Sequence, residues 1–148
     1  MPDDDARALE LIRRVNRFIR AGDLDEATLG ELTMAQVRVL FRLRNSGPLT
    51  SGALASGLGV TLPTVTSVAD RLVHRGLVER RDDPEDRRRV ILALTADGST
   101  LVERIQQGRR ARLAAAVNAL NDDERRRLVE GLEFLVSATE RVEVPTGG

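Results

Sequence analysis

Apolar residues recur at helical spacing from the start of the chain. Ala8, Leu11, Ile12, Val15, Phe18 and Ile19 predict a helix over 6–21. Its other face carries Arg7, Arg13, Arg14, Arg17 and Arg20, while Asp3, Asp4 and Asp5 suit the positive end of the helix dipole. Gly22-Asp23 ends this segment, and Asp25 to Gly30 reads as a polar connection. Thr33-Met34-Ala35-Gln36 then has the form of a capping box, with Leu32 and Val37 flanking it at the spacing of a hydrophobic staple. Val37, Leu40 and Phe41 follow, and Asn45-Ser46-Gly47-Pro48 stops a helix over 34–45.

Leu49-Thr50 opens a short helix through Ser56 with Thr50 as its cap, and Gly57-Leu58-Gly59-Val60 is a tight turn. Another helix begins near Thr61 to Pro63 and runs to His74-Arg75, ending at Gly76. Thr61 and Leu62 both remain open as its cap, because proline disfavours helical geometry in the residue before it. The period then changes to that of strands at Leu77–Arg80 and Arg89–Leu94, with Val90, Leu92 and Leu94 on one face. Asp82-Asp83-Pro84-Glu85-Asp86 between them is rich in turn residues and predicts a hairpin. Thr95 caps a long helix over 96–119, apolar at Leu101, Ile105, Leu113, Ala116, Val117 and Leu120 and interrupted by Gly108. Asn121-Asp122-Asp123-Glu124 resembles a second capping box, and a final helix runs to about 141, before a frayed tail.

Composition narrows what such a chain can do. Cysteine is absent, so disulfides, thiolate metal sites and cysteine nucleophiles are excluded. His74 is the single histidine, and a His-rich metal site is excluded with it; no metal and no cofactor is expected. All 23 basic residues are arginine, which rules out Schiff-base chemistry and a lysine-bearing phosphate loop. No run of about 18 apolar residues exists and the first residues are acidic, so a cytoplasmic protein without a membrane partner is expected. The net charge is zero but uneven: residues 33–95 carry 10 arginines against 6 acids, while both flanks are acidic on balance. A basic middle in a neutral chain suggests a local anionic partner.

Two short helices joined by a glycine-containing turn and followed by a hairpin form a winged helix-turn-helix. In that arrangement the second helix fits the major groove of duplex DNA. Val65, Val68, Ala69 and Leu72 make its core face, leaving Thr64, Ser67, Arg71 and His74 on the other side. Arg87, Arg88 and Arg89 flank the acidic hairpin tip, from which an arginine can enter a narrow minor groove.

Leu32-Thr33-Met34-Ala35-Gln36, Gly76-Leu77-Val78-Glu79-Arg80, and Asp83-Pro84-Glu85-Asp86-Arg87-Arg88 followed by Leu92-Ala93-Leu94-Thr95 resemble the MarR family of bacterial transcription regulators. The resemblance covers nearly the whole chain in order, and its wing segment is the most specific part. It implies a mainly α fold with a small β-hairpin wing, in one domain over 1–148. Within it, 33–95 is the DNA-binding part, 1–32 and 96–141 are the helical dimerisation part, and 142–148 is a flexible tail. It also implies a homodimer on pseudo-palindromic double-stranded DNA, usually a repressor, and in many members a small-molecule effector that releases the DNA. By position, the DNA-binding residues are Thr61, Thr64, Thr66, Ser67 and Arg71 of the recognition helix and Asp86, Arg87, Arg88 and Arg89 of the wing. Asp86 orients Arg88 for the minor groove, while Arg87 and Arg89 alternate along the strand toward phosphates or solvent.

Dimerisation is also expected from the residues themselves. The terminal helices carry more apolar stripe than a small winged domain can cover, notably Leu11, Ile12, Val15, Leu132 and Leu135, and such a patch needs a partner. Two other readings compete. A winged helix can serve protein contacts alone, which the low overall basicity favours and the arginine wing opposes. A catalytic pairing of His74 with Ser67 or Asp70 lacks an oxyanion site and a second base.

Overall fold

The computed structural model describes residues 2–23 and 32–142. The predicted connection over 25–30 and the tail from 143 onward lie outside the described residues. Helix α1 spans Pro2–Arg20. It starts earlier than the apolar pattern predicts, because proline's missing amide suits a first helical position and Asp3–Asp5 fill the first turn. Helix α2, Met34–Ser46, begins with the predicted box: the Gln36 amide donates to Thr33 Oγ1 at 3.3 Å, and Gln36 Oε1 accepts from the Thr33 amide at 2.9 Å. Leu32 and Val37, the staple pair, are both buried.

Leu49-Thr50 differs from expectation. It is a short strand, β1, before helix α3 at Ser51–Leu58. Thr50 still caps that helix, accepting from the Ala53 amide at 3.2 Å. Gly59 closes α3 at φ 65°, a left-handed conformation that glycine adopts without steric cost. Helix α4 spans Leu62–His74 with Thr61 as its cap. Strands β2, Val78–Asp82, and β3, Val90–Leu94, complete an antiparallel sheet of order β1-β3-β2. Leu49 pairs with Leu92 and Thr50 with Ile91; on the other side Val78 pairs with Leu94 and Asp82 with Val90.

The middle position of β3 explains a second departure. Leu92 is buried and Leu94 packs against the core, but Val90 is exposed and Ala93, on the opposite face, is buried too. A central strand covered on both faces need not alternate. The loop between β2 and β3 also shifts: Asp82 belongs to the strand, Arg89 to the tip.

Helix α5, Ala96–Asn118, and helix α6, Asp122–Thr139, follow. Asn121 and Glu124 of α6 form the second capping box. Thr95 joins the end of the hairpin to α5, donating to the Gly76 carbonyl at 2.6 Å and accepting from the Gly98 amide at 3.1 Å. The backbones meet so closely there that a Cβ on Gly98 would collide with the Leu77 carbonyl oxygen.

The chain divides into two compact units. One comprises Ala21–Gly108, the other Met1–Arg20 with Arg109–Gly148, so the division falls inside α5. The first holds the core: Val37, Leu40, Leu54, Val65, Leu72, Val78, Leu92 and Val102 are almost fully buried. The second has polar contacts at its helix ends. Arg112 Nε donates to the Ile19 carbonyl at 2.6 Å, and Arg125 Nη2 to the Leu120 carbonyl at 2.9 Å.

Candidate nucleic-acid interface

Helix α4 is positioned by its apolar side. Val65, Ala69 and Leu72 are buried and Val68 packs against the same core, which turns Thr61, Thr64, Thr66, Ser67 and Arg71 outward to solvent. At its N-terminus, Thr61 Oγ1 accepts from the Thr64 amide at 3.4 Å and lies 2.8 Å from Thr64 Oγ1. Thr66 spends its hydroxyl proton on the Leu62 carbonyl at 3.0 Å, leaving lone pairs and a methyl group outward. Arg71 is exposed, and its side chain forms no hydrogen bond or ion pair with a described residue.

The wing tip is built around Asp86. Its Oδ1 accepts from the Arg88 amide at 3.0 Å and from Arg88 Nε at 3.3 Å, and Arg89 Nε stands 3.7 Å from Oδ2. The backbone folds with it: the Arg89 amide donates to the Asp86 carbonyl at 3.0 Å, and the Asp83 amide to the Arg89 carbonyl at 3.3 Å. The Arg88 side chain is 91% exposed, so the aspartate fixes its base while the guanidinium projects into solvent. The Arg88 amide, then the Arg88 guanidinium, then the Arg89 charge hold the Asp86 carboxyl below its ordinary value. The expectation that Arg87 and Arg89 alternate along a strand fails. Both lie in the turn, where period-two alternation does not apply, and Arg89 leans toward the same carboxylate as Arg88.

One contact joins helix to wing, and no local pattern announces it. Asp70 of α4 pairs with Arg80 of β2, so its carboxylate is engaged there and not with His74. The two residues stand ten positions apart on different elements, beyond the reach of any capping or turn rule.

A sequence profile of the MarR family matches residues 32–90. The uncharacterised HTH-type transcriptional regulator YfiV of Bacillus subtilis is 31% identical over 119 residues, covering 80% of this chain and 74% of YfiV. The chain belongs to the MarR family. Among solved structures, the transcriptional regulator Tm0710 from Thermotoga maritima matches with a TM-score of 0.79 at 26% identity, covering 95% of this chain and 96% of that one. A mutant of MepR from S. aureus, bound to an oligodeoxyribonucleotide, matches with a TM-score of 0.70 at 24% identity over 89% and 97% of the two chains. That second likeness is one of fold. As a MarR-family member the chain is a transcriptional regulator with a winged helix-turn-helix. Among its described residues, no single helix is long and apolar enough to cross a membrane.

The five residues expected to hold MarR-family protomers together are all on the surface. Leu11, Ile12 and Val15 of α1 and Leu132 and Leu135 of α6 are 40–49% exposed. Phe134, at 77%, and Val136, at 58%, add to the apolar exposure of α6.

Proposed function

We propose that this protein is a cytoplasmic, sequence-specific duplex-DNA-binding regulator that represses transcription as a homodimer on a pseudo-palindromic site. The observation that carries the reading is the wing tip: an arginine anchored at its base by Asp86 and otherwise free, beside a helix whose hydroxyls and Arg71 face outward. Thr61, Thr64, Thr66, Ser67 and Arg71 address the major groove. Arg88 reaches the minor groove, and Arg87 and Arg89 contact phosphate. Asp86 pre-orders Arg88 through charge-assisted hydrogen bonds and so reduces the ordering left to binding. The S. aureus relative solved with an oligodeoxyribonucleotide supports the same use of the fold. A second copy covers the leucine and valine stripes of α1 and α6, and its two-fold symmetry matches two half-sites.

Selection of bound duplexes from a random pool tests this directly. Enriched sequences should contain two inverted half-sites, with centres about one helical turn apart or a multiple of it. Titrating wild type and Arg88→Ala against the enriched site with A·T or G·C flanks, at fixed salt, tests the wing. The wild type should prefer A·T flanks and the variant should not, because narrow grooves attract an inserted arginine. No enrichment over the input pool would refute DNA binding and leave the winged helix as a protein-contact module.

A further inference from the structure

The outward side of α4 presents more carbon over its first turns than its threonines suggest. Successive residues of a helix stand about 100° apart, so Pro63 lies roughly opposite the buried Val65, and Thr66 lies to one side of that direction. Three positions apart, the two are neighbours on the helix surface, and both are exposed. Leu62, 50% exposed, widens the same apolar surface toward the wing, where it lines one cleft with Arg88 and with Val90, itself 40% exposed.

The polar groups around them are engaged within the helix. Pro63 has no amide to offer. The Thr64 amide donates to Thr61 Oγ1 at 3.4 Å, and the Val65 amide to the Thr61 carbonyl at 3.1 Å. The hydroxyls of Thr61 and Thr64 bond each other at 2.8 Å, and Thr66 gives its proton to the Leu62 carbonyl at 3.0 Å. Thr66 therefore has no proton left for an acceptor on a base edge, and guanine offers only acceptors, N7 and O6, in the major groove. Covering such acceptors with a proline ring and a methyl group would strip their water without replacing it. The C5-methyl of thymine is the one apolar group on a major-groove edge, and burying it against carbon is favourable.

We propose that Pro63 and Thr66 are specificity-determining residues that read the C5-methyl group of a thymine in each half-site. The inference rests on the proposed duplex-DNA binding and adds to it the base that the first turns of α4 select. Arg71, farther along the helix, keeps its free donors for guanine or phosphate.

The test uses the full-length protein and the duplex enriched from the random pool. Each thymine of a half-site is replaced in turn by deoxyuridine, which pairs identically and lacks only the methyl group. At one position or more, the wild type should bind the uracil duplex about threefold more weakly, the effect of one methyl group left uncovered. Thr66→Ser keeps the hydroxyl that donates to the Leu62 carbonyl and removes the methyl; Pro63→Ala removes the ring. In the double variant Pro63→Ala/Thr66→Ser, the preference for thymine over uracil at that position should disappear. Its affinity for the uracil duplex should stay near that of the wild type, which also shows that the variant is folded. Equal wild-type affinity for thymine and uracil at every position would overturn the inference. So would a thymine preference that survives unchanged in the double variant. Both of those results leave DNA binding standing, because they are measured on a duplex that the protein binds. Absence of any enriched duplex would instead refute the DNA-binding reading, and this inference with it.

Discussion

The two compact units of this chain solve the problem of apolar surface in opposite ways. In Ala21–Gly108, short helices and a small sheet enclose Leu40, Leu54, Leu72 and Leu92 almost completely. In the unit of terminal helices, α6 buries no residue at all, and leucines and valines at the same helical spacing stay open to solvent. Periodicity alone does not distinguish the two, because an amphipathic stripe records that something covers it and not whether the cover belongs to the same chain. One unit encloses its own core; the other leaves its stripe open, and the second copy proposed above would cover it.

Charging the open stripe should produce the largest effect. In Leu132→Glu/Leu135→Glu, each protomer loses two apolar anchors, and association should weaken by about 6 kcal/mol or more. Sedimentation at micromolar concentration should show the wild type near twice its 16.3 kDa chain mass and the variant near that mass. A wild type that sediments as a monomer would remove the contrast between the units altogether. Truncation in the closed core should act the other way round. Leu72→Ala should lower unfolding stability by about 2–5 kcal/mol in denaturant titrations and leave the protein dimeric. Loss of the dimer in that variant would show that the units do not divide the work as described.

Within the closed unit the surface differs again from the interior, and its changes should be smaller. Arg71→Ala should leave folding intact and weaken duplex binding by about 1–3 kcal/mol. Relaxed preference at one base position would indicate a guanine contact, whereas uniform weakening would indicate phosphate. Smallest is the acid titration of the wing. The folded Asp86 value is depressed, so its contribution to tip order is complete above the ordinary aspartate range and is lost as pH falls through that lowered value. The Arg88 amide resonance should report this with a midpoint below the ordinary aspartate value, and Asp86→Asn should abolish the transition. A midpoint at or above the ordinary value would mean that the carboxylate does not hold Arg88 in solution.

What the sequence discloses follows how far apart the interacting groups stand. Thr33 with Gln36, Thr50 with Ala53 and Asn121 with Glu124 are contacts over three residues, and their residue types announce them. The Asp86–Arg88 contact is shorter still, and the Asp-x-Arg spacing marks it. By sequence β1 reads as the opening of a helix, because its partners, Leu92 and Ile91, lie far along the chain and two residues carry no period. The pairing of Asp70 with Arg80 depends on how helices and strands pack. The exposure of Val90 beside buried Ala93 has the same origin, since only the assembled sheet shows that β3 is its middle strand.

Gly98 carries a consequence for how this chain can vary. Its neighbour across the gap is a backbone oxygen, which cannot swing aside as a side chain would, so even alanine forces α5 away from the end of the hairpin. Gly59, by contrast, has open space around it and is held to glycine only by its left-handed backbone, which asparagine tolerates at modest cost. Every amino-acid replacement reachable from a glycine codon by one base change introduces a Cβ. Position 98 therefore has no neighbouring step in sequence space that keeps the junction as it is, and the joint between wing and long helix is closed to gradual drift.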